Sequence, residues 1–337
     1  MKAIVIKGPG EVGVEEVAEP VPKDGEVVLR VKRVGLCGSD LNSYRGKNPM
    51  VVFPRVLGHE VAATVVEDTP GQPHLRRGTD VTLSPYTSCG RCASCRRGRP
   101  NACQFNETMG VQRDGALAEY IAVPPERLYT AQLNLKELCL VEPLTIGFHA
   151  VGRGRVTASD TVAIIGCGGV GLGAVAASGN RGARTIAIDV DDRKLETARR
   201  AGATDTINTQ RESMHDRLRE LTAGDGPDVI VEAIGLPSTF RAAVEEVAFT
   251  GRVVYIGYAK EPVAYETRLF VQKELDILGS RNASPEDFRA VIALLEQGRF
   301  PVEEAVSLTV PMSGAAQALA AWDTEPSRYS KIMISLE

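Results

Sequence analysis

Several things are scarce in this chain, and each shortage removes a class of function. Its 337 residues hold one tryptophan and 5% aromatics, so it lacks the interleaved basic and aromatic residues with which a nucleic-acid binder tracks a strand. Lysine and arginine total 39 against 43 aspartates and glutamates, a net charge of −4, which gives no general attraction to nucleic acid or to an anionic membrane. No apolar stretch approaches the ~18 residues needed to span a bilayer. There are four histidines, and because position 63 is alanine the His59-Glu60 pair does not open the H-E-x-x-H helix of a metalloprotease. The start, MKAIVIKGPGEVGVEE, alternates like a strand running into a turn and does not have the character of a signal peptide. No internal repeat or low-complexity segment is visible. The remaining composition, 43% hydrophobic and 24% charged, is that of a globular protein long enough for two domains.

Cysteine is present and unevenly placed. Four of the seven lie in the run CGRCASCRRGRPNAC as Cys89, Cys92, Cys95 and Cys103. Four thiolates at this spacing can close a tetrahedral zinc site that is structural, because no position stays open for chemistry. Disulfides need an oxidising compartment, and an iron–sulfur cluster fits less well because the last gap is seven residues. The arginines in this lobe, Arg91, Arg96, Arg97 and Arg99, read as a solvated surface. A second group is looser: Cys37 in GLCGSD, and His59 and Glu60 in VLGHE. One thiolate, one imidazole and one carboxylate form an incomplete shell of the kind a catalytic zinc needs. Asp40 is placed to orient that shell. Cys139 and Cys167 read as small buried hydrophobes, and reduced thiols point to the cytoplasm.

The run TVAIIGCGGVGLGAVAA carries Gly166, Gly168 and Gly171 as G-x-G-x-x-G. It follows an apolar β-branched run and opens an alanine-rich helix, which is the setting of a dinucleotide-binding turn. A second apolar run ends at Asp189, where a carboxylate hydrogen-bonds the ribose hydroxyls of NAD and repels the extra phosphate of NADP. Further strands are expected at 205–208, 227–235, 251–258 and 275–282, with helices near 191–201, 212–222, 237–248 and 267–274. That makes six strands, the number in a full doubly wound sheet.

With these motifs in place, the chain resembles the zinc-containing medium-chain alcohol dehydrogenases over essentially its whole length. The landmarks are GLCGSD, GHE, the cysteine lobe, VEPLTIGFHA, GCGGVG and Asp189. Within that superfamily it is more similar to the polyol and sugar-acid dehydrogenases of the sorbitol, L-idonate and L-galactonate types. The resemblance implies an α/β protein: a β-rich, GroES-like catalytic domain of residues 1–143 with 283–337, and a Rossmann domain of 144–282, with a cleft between them. It implies two zinc ions per chain and NAD. Cys37, His59, Glu60 and Glu142 would serve the catalytic zinc, with Ser39 starting a proton relay and Glu60 and Glu142 acting at the zinc-bound water. Asn42 stands where many members have histidine, so water through Glu142 is the expected outward proton route. Arg193 and Gly257 would join the glycines and Asp189 in binding cofactor. Arg281 and Asn282, with Arg45 and Arg113 as less direct neighbours, would meet the substrate. A homodimer or homotetramer acting on a small polyol or sugar acid is implied. The alternatives kept open are an L-threonine 3-dehydrogenase-like or other zinc alcohol dehydrogenase, and a non-catalytic NAD-binding structural or sensor protein.

Overall fold

A computed structural model describes residues 1–337. The chain divides into two compact units, one of residues 1–142, 284–297 and 302–337, the other of 143–283 and 298–301.

The first unit is built on strands. A seven-stranded sheet runs Leu308–Pro311, Ile332–Ser335, Val27–Leu36, Glu60–Val65, Asp80–Leu83, Leu128–Thr130, with Tyr120–Val123 also paired to Val27–Leu36. Its long strand VVLRVKRVGL turns Val27, Leu29, Val31, Val34 and Leu36 into the core, the alternation that fixes which face is buried. A smaller sheet of three strands, Lys2–Gly8, Glu11–Glu16 and Arg55–Val56, packs Ile4 and Ile6 into the same core. Two pairings matter for function. Val27–Leu36 and Glu60–Val65 are antiparallel with Gly35 opposite Glu60. Ile332–Ser335 lies antiparallel to Val27–Leu36 with Ile332 opposite Leu36, so the last strand of the chain reaches the loop that carries Cys37.

The second unit is a parallel sheet of six strands. Thr161–Ile165 sits inside it. On one side come Arg184–Asp189 and Asp205–Asn208, on the other Val229–Glu232, Arg252–Tyr255 and Asp276–Gly279. This is the doubly wound order in which the chain reverses direction beside the first strand, leaving a crevice at the carboxyl ends of the strands. The four inner strands are nearly continuous apolar, β-branched runs because both of their faces are covered, and Ile164, Ile186, Ile230 and Val253 are fully buried; the edge strand Asp276–Gly279 is largely exposed. Local chemistry sets the helix starts. Asp191 caps helix Asp192–Arg200 by accepting from the amides of Arg193 and Lys194. In the first unit, Ser284 and Asp287 cap helix Pro285–Glu296 reciprocally, with proline in the first turn.

Candidate functional site

The Cys37 loop, the end of the Glu60 strand and the start of the last strand meet in the first unit. Ligand atoms of Cys37, His59 and Glu60 all lie within 4.8 Å of one another. Asp40, 1% exposed, ties the two sequence segments together: its carboxylate accepts from the amide of Cys37 at 2.8 Å and from that of Gly58 at 3.4 Å. Gly58 has φ +94°, a conformation that glycine adopts without strain and that turns the chain directly before His59. Gly35 is required for a different reason. A Cβ there would lie 2.0 Å from Glu60 Oε2, so only glycine lets the Glu60 carboxylate lie against the opposite strand.

Sequence reasoning missed Lys331. Its ammonium donates to Glu60 Oε1 at 2.5 Å, to Oε2 at 2.7 Å and to the Leu36 carbonyl at 3.2 Å. Lys331 is 6% exposed and Glu60 1%. Burial alone would lower the lysine pKa, but the charges of Glu60 and Cys37 outweigh it and raise it. The available signal was a lone lysine opening the apolar run KIMIS, too weak by itself to name a partner. The other residue missed is Tyr86, whose buried hydroxyl donates to Glu142 Oε1.

The donor set fits a divalent cation. Burial works against a charged His59, yet Cys37, Asp40 and Glu142 raise its pKa well above the ordinary histidine value: the pocket favours positive charge at that point. Burial raises the carboxyl pKa of Asp40 and of Glu142, the response of anions confined without enough cation. His59 Nδ1 and Ser39 Oγ are buried without a hydrogen-bond partner. Glu142 lies outside the three-residue donor group, in the grip of Tyr86. Arg45 is engaged elsewhere: its Nε is 2.5 Å from Asp323 Oδ1. Arg113 donates to the carbonyls of Glu107 and Pro85. Both arginines therefore hold backbone or helix in place.

The second cluster in this unit is Cys89, Cys92, Cys95 and Cys103, again with donor atoms within 4.8 Å. The Cys92 sulfur lies 3.4 Å from that of Cys95 and 3.8 Å from that of Cys103. Amides point at the sulfurs: Cys92 to Cys89, Cys89 to Cys103 and Phe105 to Cys103, each at 3.3 Å. A hydrogen bond with Ser94 and backbone amides draws the Cys92 pKa down to about 5, while burial and neighbouring sulfurs push Cys95 up to about 11. Four thiolates cannot coexist here without a cation, which a closed zinc site supplies.

In the second unit the three glycines of the turn have separate tasks. Gly166 has φ +98°. A Cβ on Gly171 would lie 1.7 Å from the Gly166 carbonyl oxygen, whereas one on Gly168 would meet nothing within 4 Å. The first glycine makes the turn, the last allows the helix to pack, and the middle one leaves the surface open at the start of helix Gly169–Asn180, where a pyrophosphate is held by amides and helix dipole. Asp189 ends the next strand, 9% exposed. It accepts from the amides of Cys167 and Val190 at 2.7 Å and of Asp191 at 3.1 Å, so the carboxylate is held beside the turn. Gly257 packs where a Cβ would be 2.4 Å from Glu232 Oε2. Arg193 is folded onto Asp191, Nη2 to Oδ2 3.0 Å. Asn282 follows the last strand at φ +53°, a conformation asparagine tolerates. Cys139 and Cys167 are fully buried.

A strand-built unit with two cysteine-containing groups of metal donors, followed by a dinucleotide-type sheet, has the make-up of a zinc-dependent oxidoreductase of the two-domain kind. Known families agree. The alcohol dehydrogenase GroES-like domain matches residues 23–132 and the zinc-binding dehydrogenase domain residues 169–297. An uncharacterized zinc-type alcohol dehydrogenase-like protein of Haemophilus influenzae is 33% identical over 98% of both chains. L-galactonate-5-dehydrogenase of Escherichia coli K12 is 29% identical over 94% of each. The crystal structure of the alcohol dehydrogenase RspB from E. coli CFT073, complexed with NADH, superposes with a TM-score of 0.91 at 31% identity, covering 100% of this chain and 99% of that one. The chain belongs to the zinc-binding alcohol dehydrogenase family, with polyol and sugar-acid dehydrogenases among its relatives. Zinc and NAD are the cofactors the two sites fit.

Proposed function

We propose that the protein is an NAD-dependent zinc dehydrogenase that oxidises a secondary alcohol of a polyol or sugar acid. The observation that carries this is the convergence of half-buried Cys37 with buried His59 and Glu60, donor atoms within 4.8 Å of one another, three donors that leave a position open on a metal they would hold. When bound, zinc would supply Lewis acidity at the open position beside Cys37, His59 and Glu60, and NAD would supply a hydride acceptor. The chain's own residues do the rest. Asp40 holds the Cys37 and His59 segments in register, and Lys331 balances the Glu60 charge. Ser39, whose buried hydroxyl has no hydrogen-bond partner, would start the proton relay, accepting the substrate proton as it releases its own. Glu142 passes protons onward by way of water, since Asn42 does not titrate near neutrality. Gly168, Asp189 and Gly257 seat the cofactor, and the Asp189 carboxylate selects NAD by excluding a 2′-phosphate.

Arg281 and Asn282 are proposed to contact the substrate. A guanidinium suits a polyhydroxylated chain and pairs bidentately with a carboxylate. Self-association is part of this reading. It is supported by the outermost strand Asp276–Gly279, one edge of which has no neighbour, and by exposed Val271 and Ile277 nearby in sequence, 83% and 42%. A cytoplasmic setting is part of this reading, since the cysteines group as metal donors or lie buried as single thiols and form no disulfide. The test is a substrate panel followed by NADH absorbance. Sugar alcohols or sugar acids should exceed ethanol by at least about tenfold in kcat/KM, roughly 1.4 kcal/mol of transition-state binding. Arg281→Ala should narrow that gap by slowing only the polyhydroxylated substrate. Equal slowing of both would refute the assignment of Arg281, and no NADH with any alcohol would favour a non-catalytic NAD-binding protein.

A further inference from the structure

Tyr86 has no role in the chemistry derived above, yet it touches that chemistry. It lies just ahead of the cysteine lobe in SPYTSCG and is 4% exposed. Its hydroxyl donates to Glu142 Oε1, 56 residues away in sequence. Glu142 is 3% exposed and stands near enough to His59 and Glu60 for their charges to act on it. Without a donor, a buried carboxylate on the first part of helix Leu135–Arg153 would be free to swing between rotamers. The buried Tyr86 hydroxyl, donating to one oxygen, restricts that freedom.

We propose that Tyr86 is a positioning residue for the catalytic metal: its hydroxyl holds Glu142 by Oε1 and so sets the carboxylate's orientation toward the Cys37–His59–Glu60 site. This rests on reading that site as the catalytic zinc site. On this proposal Glu142 would join the three donors when the metal is bound, and hydrogen bonds to metal ligands orient the ligand and tune its basicity, their loss typically costing about 10–100-fold in metal affinity or activity. Tyr86 differs from Lys331, which neutralises Glu60, because a neutral hydroxyl adds direction to Glu142 without cancelling its charge.

The experiment measures zinc affinity by chelator competition, together with the visible spectrum of the cobalt-substituted protein, in wild type, Tyr86→Phe, Glu142→Gln, Glu142→Ala and the Tyr86→Phe/Glu142→Ala pair. Tyr86→Phe keeps the ring and removes one oxygen. We expect it to weaken the chelator-sensitive site by about tenfold or more and to move the cobalt bands, leaving the four-cysteine site unchanged. The Glu142 variants leave Tyr86 in place, so they test the same contact should Tyr86→Phe fold poorly; they should also weaken zinc. In the Glu142→Ala background, Tyr86→Phe should have no further effect. The proposal is overturned if Tyr86→Phe lowers only the melting temperature and leaves zinc affinity within about twofold, since the phenol is then core packing. It is overturned also if the Glu142 variants leave affinity and spectrum unchanged, in which case the Cys37–His59 site stands and Glu142 is not part of it. A wild-type protein that binds only the four-cysteine zinc removes the zinc reading itself, and this proposal with it.

Discussion

Replacing Lys331 with methionine isolates the buried Lys331–Glu60 ion pair of the first unit. The change keeps a long apolar stem and removes the ammonium, so the Glu60 carboxylate remains buried against Gly35 with no cation except a bound metal. Removing one partner of a buried ion pair costs about 3–5 kcal/mol, because the other charge is stranded. The first unit has roughly 190 residues, and unfolding entropy near 2.1 cal/mol/K per residue implies about 2–3 °C per kcal/mol, hence a fall of about 7–12 °C in melting temperature. The assay is calorimetry of the metal-free protein. Because the lysine pKa is raised from 10.5 in the folded state, its contribution is complete below that value and is lost only as pH rises through the higher folded pKa; the penalty should therefore be full at pH 7. Zinc supplies a replacement cation, so the metal-loaded variant should lose less than the metal-free one. Adding Glu60→Gln to Lys331→Met should recover most of the loss in the metal-free protein. A loss under about 1 kcal/mol, or no recovery in the double variant, would show that Lys331 contributes through its aliphatic stem and that the stranded-charge argument is wrong.

Chelation should separate the two metals: a mild chelator removes zinc from the open Cys37–His59–Glu60 site and abolishes activity, while metal analysis still finds one zinc at the four cysteines and circular dichroism is unchanged. Asp189→Ser should raise the NAD KM and lower discrimination against NADP, each lost charge-assisted hydrogen bond contributing on the order of 1.5–3 kcal/mol at most; equal use of both cofactors by the unaltered enzyme would contradict the role given to Asp189. Asp160 is an acid-sensitive group of the second unit. Burial raises its pKa, but Arg252 and the Thr157 amide, 2.7 Å away, outweigh this and hold it below 3.8. Its contribution is therefore present above that value and lost as pH falls through the lower folded pKa. Asp160→Asn should cost about 1–2 kcal/mol at pH 7, and urea titrations should show the difference from wild type shrinking in acid.

Much of this protein is legible without coordinates, because the information is local. A glycine turn with its flanking strand and helix occupies seventeen consecutive residues. The four cysteines occupy fifteen, and Ser284 caps its helix with a residue three positions away. Short-range chemistry of that kind can be read directly from residue order. The four inner strands of the second unit are equally plain, since strands buried on both faces are nearly unbroken apolar runs. The Cys37–His59–Glu60 cluster is a different matter. Cys37 and His59 could be nominated from their motifs, but what makes them a site is strand pairing. Gly35 must lie opposite Glu60 before a missing Cβ becomes room for a carboxylate, and the last strand must return beside Leu36 before Lys331, 271 residues from Glu60, becomes its counter-ion. Tyr86 and Glu142 meet only across the packed interior. Arg45 and Arg113 show the converse: each is a plausible substrate cation in a linear reading, and tertiary contacts occupy both with other partners. Sequence alone determined which local units form and which metal and nucleotide chemistry they suit. Only the tertiary structure decided which charges are neutralised, because a buried charge is governed by whatever the fold brings within a few ångströms, however distant along the chain.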